Sequence, residues 1–577
     1  VEYQVWAPSA GRVDVEVDGT AHPLTCGEGG WWRGEAPAGL DYGFRLDGGR
    51  ALPDPRSARQ PYGPDGLSRL VDHGAYRWSS STWRGRPLAG AVVYELHVGT
   101  FTGEGTFAAA EQRLRHLVEL GVDFVELLPV CPFPGRSGWG YDGVAPWAVH
   151  EPYGGPDGLK HFVDAAHGLG LGVILDVVHN HLGPSGNYLP AYGPYFTERH
   201  QTPWGSAVNL DAPGSDEVRA YLRESALTWL RDYRIDGLRL DAVHALVDDR
   251  AVHFLEELST AVDVLAASVG RPLFLIGESD LNNPRHTSPR QAGGYGLTAQ
   301  WSDDFHHALH AAASGESQGY YADFGRAPMA ALARVLTRGW FHDGTWSSFR
   351  GRHHGRPFPV AYGQRLLGYA QTHDQVGNRA IGDRLLPRQL ALTAPLVFTS
   401  PFTPMLFMGE EWGASTPWQY FTDHTDPGLA EAVRQGRRRE FEAYGWTAEE
   451  VPDPQDPATV RASVLDWSET RTGLHAELLQ WYRELIRLRK SSPELADPDL
   501  SRVRVDFDEE AGRLTVHRGR FRIAVNFGEK PVDLPAGEVV LSWGEVSRSW
   551  LGPRSCVITS TAASTAASAA ASAAASS

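Results

Sequence analysis

Four short acidic segments follow one another in fixed order: Asp176-Val-Val-His-Asn-His181, Gly237-Leu-Arg239-Leu-Asp241, Ile276-Gly-Glu278-Ser and Thr372-His373-Asp374-Gln. Each closes an apolar run that reads as a buried strand. A barrel enzyme collects its working side chains from the ends of several different strands, so carboxylates placed this way predict one site at a strand mouth. Carboxylates that converge in this way suggest glycoside chemistry, in which one carboxyl attacks and another serves the leaving oxygen as an acid.

The residues divide between those two tasks. Asp241 follows Arg239 by two positions, so on a strand both side chains face the same way and the guanidinium can hold the aspartate ionised, as a nucleophile requires. Glu278 ends the apolar run from Leu273, where desolvation would keep it protonated near neutrality, as a general acid requires. Asp374, beside His373, reads as a third carboxylate that orients sugar hydroxyls and stabilises developing positive charge. Asp176 and His181, from the third strand end, suit hydrogen bonds to those hydroxyls.

These segments need a scaffold, and the chain between about Ala91 and Lys490 supplies one by repeating apolar strand, turn and amphipathic helix. Candidate strands are 92–96, 122–128, 172–176, 237–241, 273–276, 297–301, 367–370 and 405–408, and eight of them predict a (β/α)8 TIM barrel. Thr106 caps a helix carrying Phe107, Leu114, Leu117, Val118 and Leu120, which Gly121 stops. The stretch 182–211, rich in Gly, Pro and Tyr, reads as a long loop of the kind that shapes a site.

Short alternating runs flank the barrel on both sides. They predict a β-sandwich over 1–88, resembling a carbohydrate-binding module, and a second over 491–560, with the barrel spanning 89–490 and a low-complexity Ala-Ser-Thr tail over 561–577. The whole is a multidomain α/β protein. Trp6, Trp31 and Trp32 offer either a sugar-stacking face or the packing of the first sandwich.

The 577 residues suffice for several domains, and a net charge of −17 disfavours nucleic acid and anionic membrane as partners. No stretch has the roughly 18 apolar residues of a membrane span. Cys26, Cys131 and Cys556 are too few and too scattered for a disulfide framework. A cytoplasmic location is expected.

The four segments match the signature regions of the α-amylase superfamily in order, and the chain resembles that superfamily through the barrel. The resemblance implies that Asp241 is the nucleophile, Glu278 the acid/base and Asp374 the transition-state stabiliser. It further implies that Asp176, His181, Arg239 and His373 contact sugar directly and that Tyr141, in Trp139-Gly-Tyr-Asp, stacks under it. Val5-Trp-Ala-Pro8 and Tyr94-Glu-Leu-His-Val-Gly-Thr-Phe101 are similar to branching enzymes and trehalohydrolases alike. Ser302 to His310, Thr372 to Arg379 and Met408 to Gly413 are similar to the maltooligosyltrehalose trehalohydrolases. That similarity implies a glycoside hydrolase of trehalose biosynthesis, which cuts the α-1,4 bond next to the terminal trehalose of maltooligosyltrehalose. An α-1,4-glucan branching enzyme and a general α-glucan hydrolase are the alternatives.

Asp303 and Asp304 follow the sixth strand, where they could read the acceptor side, with Asp304 as a substrate contact, or simply face a helix dipole. Glu95 is expected in a buried polar network. His306 and His310 have helical spacing, but position 307 is His where a zinc peptidase has Glu. Asn180 matches a calcium-binding position of many α-amylases, yet the loop after it offers few carboxylates. No metal and no cofactor is expected.

Overall fold

The computed structural model describes residues 1–442 and 446–561; the tail beyond Thr561, expected to be of low complexity and disordered, lies outside them. Strands Val93–Leu96, Phe124–Leu127, Gly172–Val177, Gly237–Leu240, Phe274–Gly277, Ala299–Trp301, Leu366–Gly368 and Thr403–Phe407 close into a barrel. Neighbouring strands are parallel throughout. All of their residues are buried, which is why they read as continuous apolar runs rather than alternating ones.

The barrel interior changes character within two residues. Val93, Phe124, Ile174 and Phe274 belong to one apolar cluster with Leu367 and Met405. Two positions further along the same strands, and so on the same face, stand Glu95, Glu126 and Asp176. Pairing puts Glu95 opposite Glu126 and Asp176 opposite Arg239, so the charged groups form one layer above the apolar one, toward the C-terminal mouth. The fold thereby gathers charge where the eight connecting loops meet.

Two small antiparallel sheets precede the barrel, one of strands Glu2–Trp6, Trp31–Glu35 and Thr25–Cys26, the other of Thr20–Pro23, Val13–Val17, Tyr42–Leu46 and Ala51–Leu52. Trp6 and Trp32 are buried and donate to Gly29 O and Ala7 O at 2.9 and 3.1 Å. Trp6 also meets Tyr195 edge-on at 5.4 Å, so these two tryptophans pack the domain and its contact with the barrel rather than offering a face to sugar. Trp31 lies partly covered under Arg56.

After the barrel, a five-stranded antiparallel sheet runs in the order Val503–Asp508, Arg513–Arg518, Phe521–Asn526, Ser555–Ser560, Glu538–Trp543. Its second sheet is only two-stranded, Val532–Asp533 with Trp550–Leu551. Barrel helix Pro387–Thr399 packs against the larger sheet, and Cys556 Sγ reaches Ala391 O at 3.5 Å. The barrel helices thus do part of what a second full sheet would do in a sandwich.

Two local expectations change. Thr106 does cap a helix, accepting from Ala109 N at 3.2 Å, but the segment is two short helices, Phe107–Glu111 and Leu114–Leu120, and Val118 faces solvent. The long loop after the third strand contains a hairpin, Phe196–Thr202 with Gly205–Val208, because Thr202-Pro-Trp-Gly205 makes the turn between two polar strands. Polar hairpins lack the apolar alternation by which strands are recognised. No helix among the described residues is long and apolar enough to cross a membrane.

Candidate active site

Arg239 is the hub of the charged layer. Fully buried, its guanidinium lies 4.1 Å over the Trp301 ring and within 3.3 Å of three carboxyls. Nη1 stands 2.8 Å from Asp176 Oδ2 and 2.9 Å from Asp241 Oδ1, and Nη2 stands 3.3 Å from Glu278 Oε2. An arginine fork with a fixed plane can hold several carboxylates in a fixed relation, which a lysine cannot.

Asp241 is held from the other side by Asn180, whose Nδ2 donates to Asp241 Oδ2 at 2.8 Å and to its main-chain oxygen at 2.9 Å. Both carboxylate oxygens therefore accept a hydrogen bond, which fixes the orientation of the group. Immediately after it, Ala242 adopts a left-handed φ of 40°, a conformation that costs energy in a residue with a Cβ. The Ala242 N–H donates to Glu278 Oε2 at 2.6 Å. Burial lifts Glu278 to about 8, against the pull of Arg239 and with reinforcement from Asp241 and Asp374. The two carboxyls thus share one guanidinium.

His373 and Asp374 open the short helix His373–Gly377, capped by Thr372, whose Oγ1 accepts from Gln375 N at 3.2 Å. The His373 ring lies between Glu95, 2.5 Å from Nδ1, and Asp374, 3.5 Å from Nε2. Burial alone would depress the imidazole, but Asp374 and Glu95 outweigh it and raise it to about 9. Tyr141 stacks on this ring at 5.1 Å and donates to Asp176 Oδ2 at 2.6 Å. The turn that presents Tyr141 needs glycine at 140, where φ is 103° and a Cβ would lie 2.3 Å from Pro129 O.

Above these residues lies a cleft of about 530 Å³. Tyr141, His181, Asp241, Glu278, His373 and Asp374 all line it. Asp176 and Arg239 do not: they are buried beneath the floor, next to the residues that line it. Burial pushes Asp176 up to about 7, although Arg239 pulls the other way. His181 forms wall, with Nδ1 2.6 Å from Asn180 Oδ1 and Nε2 3.0 Å from Tyr141 O.

Asp304, expected as a substrate contact, is buried and is not among the residues lining the cleft. Its Oδ2 accepts from Asn282 Nδ2, Phe341 N and His342 N at 2.8, 2.7 and 2.9 Å, away from the cleft. Asp303 lines the cleft instead, accepting from Tyr369 Oη at 2.7 Å and Gln375 Nε2 at 3.2 Å. Successive helical residues point about 100° apart, so only one of the two can face the site.

Several cleft residues were not anticipated. Trp204, at the hairpin turn, lies parallel to the His181 ring at 4.5 Å and is 49% exposed. Also lining the cleft, Phe349 meets Tyr320 edge-on at 6.0 Å, and Arg350 pairs with Asp280 at 2.7 Å. An aromatic in a polar turn was the only sequence signal for Trp204 and Phe349. Aromatic faces at a polar cleft suit the C–H faces of a sugar chain.

The metal candidates have other occupations. His306 Nδ1 and Nε2 meet Ala370 O at 2.7 Å and Tyr321 Oη at 3.0 Å, and His310 Nε2 meets Glu316 at 3.0 Å. Asn180 is spent on Asp241 and His181. His200, Asp211 and Asp249 form a group of potential ligands near the hairpin base, where Arg199 already pairs with Asp249.

A closed parallel barrel whose strand ends gather carboxyls around one buried arginine, under an aromatic-lined cleft, defines a glycoside hydrolase of the α-amylase type. Residues 85–193 match the model of the alpha amylase catalytic domain, and 498–558 match a domain of unknown function. The chain is 55% identical to a malto-oligosyltrehalose trehalohydrolase of Rhizobium sp. (strain M-11), covering 92% of each chain. It is 56% identical to the enzyme of that name from Arthrobacter ramosus, covering 94% of this chain and 96% of the relative. The crystal structure of a protein from Salmonella typhimurium is similar with a TM-score of 0.89 at 38% identity, covering 97% of both chains. The chain belongs to the malto-oligosyltrehalose trehalohydrolase family.

Proposed function

We propose that this protein hydrolyses, with retention, the α-1,4 bond joining a terminal trehalose unit to a maltooligosyl chain, releasing trehalose. The observation that carries the chemistry is the shared guanidinium. Arg239 holds the Asp241 carboxylate in place, while burial leaves Glu278 protonated up to about pH 8. Family membership carries the choice of substrate.

Glu278 gives its proton to the glycosidic oxygen as the bond to the anomeric carbon breaks, and trehalose leaves carrying that proton as its hydroxyl. Asp241 attacks the same carbon from the opposite face, forming a glycosyl ester. Glu278, now a carboxylate, takes a proton from water, whose oxygen displaces Asp241. Two inversions give net retention. Asp374 and the His373 imidazolium grip the hydroxyls of the sugar being cleaved, Tyr141 supports its face, and His181 forms the wall beside it.

Proton NMR of an early reaction mixture tests this directly. Free trehalose must appear together with a maltooligosaccharide whose new reducing end is first the α-anomer. An initial β-anomer would contradict the double displacement, and new α-1,6 branches would indicate glucan transfer instead.

A further inference from the structure

Below the cleft, Glu95 makes contacts that the proposed chemistry does not use. It is 1% exposed on the first barrel strand, and its carboxylate holds His373 twice. Oε2 accepts from the His373 main-chain N–H at 3.0 Å, and Oε1 lies 2.5 Å from Nδ1. The first contact fixes where the short helix begins. The second fixes how its first side chain is turned.

The opposite ring nitrogen faces Asp374 Oδ1 at 3.5 Å. A neutral imidazole has one N–H and could serve only one of these carboxylates; serving both requires the imidazolium. Other groups bear on the same ring. Arg239 and His97 oppose its positive charge, Asp176 and Glu126 favour it when ionised, and Tyr141, Trp139 and Trp301 contribute neutral faces. Glu126, opposite Glu95 in the sheet, has neither oxygen bonded, and burial drives its carboxyl far above the usual range. It therefore cannot replace Glu95 as a counter-charge.

We propose that Glu95 is a positioning residue for the reaction, clamping His373 by backbone and ring so that a correctly turned imidazolium meets the sugar beside Asp374. Glu95 touches no substrate; it acts through His373. This rests on the assignment of the cleft made above, and the test separates the two.

The test compares Glu95→Gln with the wild type in kcat and KM for maltooligosyltrehalose between pH 4.5 and pH 8.5, with Asp241→Asn as reference. Glutamine keeps an acceptor for the main-chain N–H and removes the charge. At pH 7 to 8 the variant should lose roughly 10–100-fold in kcat/KM, the scale of a lost hydrogen bond to a charged group. As pH falls below the ordinary histidine value of about 6.5, solvent restores the imidazolium and the deficit should shrink. A purely structural role would give a deficit that does not vary with pH, and that result, or no deficit, overturns the proposal. Full turnover in Asp241→Asn would instead overturn the assignment of the cleft. If Glu95→Gln does not fold, Glu95→Asp decides: a lowered kcat with the wild-type alkaline limb supports the clamp, and unchanged kcat overturns it.

Discussion

The side-chain amide of Asn180 spans the carboxylate and the main-chain carbonyl of Asp241, donating to Oδ2 at 2.8 Å and to the oxygen at 2.9 Å. With Arg239 on Oδ1, this leaves the carboxylate no freedom to rotate. Asn180→Ala should therefore lower kcat by about 10–100-fold, the scale of a hydrogen bond to a charged group, with a small change in KM. Steady-state kinetics on maltooligosyltrehalose check this; kcat within twofold of wild type would show that Arg239 alone orients Asp241.

Glu278 links activity to stability with opposite sign. Its folded value of about 8 lies above the ordinary carboxyl range, so the proton is held more tightly in the folded state. Its favourable contribution is complete below about pH 4.3 and is lost as pH rises through about 8. Activity should fall through the same upper range as the acid form disappears. Glu278→Gln, which cannot ionise, should abolish turnover yet raise stability by about 1–3 kcal/mol at neutral pH. Thermal melts at pH 7 and pH 4 measure this, and the stabilisation should vanish at the lower pH.

Trp204 covers His181 from a hairpin turn and is half exposed. Trp204→Ala should raise KM by about 2- to 10-fold, the worth of one aromatic contact, with kcat and melting temperature nearly unchanged. A melting temperature lowered by many degrees would mean that the ring holds the hairpin in place rather than contributing to the cleft.

Asp303 and Asp304, adjacent in sequence, should respond differently. Asp304→Ala strands the N–H groups of Phe341 and His342 and the Asn282 amide, costing about 2–3 kcal/mol of stability and sparing KM. Asp303→Ala removes a cleft-lining carboxylate and should raise KM with a smaller loss of stability. Paired kinetics and denaturant titrations distinguish them.

The barrel was legible because strands covered on both faces become uninterrupted apolar runs, and because carboxylates end those runs. Arg239 and Asp241 showed their partnership through two-residue spacing alone. What could not be read was depth. Asp176 and Arg239 have the types of sugar-binding residues, and only the closed barrel shows that they lie below the floor. Asn180 gave no sign of its hold on Asp241, since the two meet across neighbouring strand ends 61 residues apart. Asp303 and Asp304 are indistinguishable by type, and the start of their helix decides which one faces the cleft. Trp204 and Phe349 sit in polar turns with no periodicity around them, so position along the chain said little about their place in space.

The proposed cleavage lies next to a terminal trehalose unit. The direct measurement is the initial rate of cleavage on maltotriosyltrehalose and on maltopentaose, which has the same number of glucose units, under identical conditions with products resolved by chromatography. The expected result is trehalose and maltotriose from the first, and cleavage of the second slower by at least an order of magnitude. Equal rates on the two, or cleavage of maltotriosyltrehalose at internal bonds without release of trehalose, would contradict it.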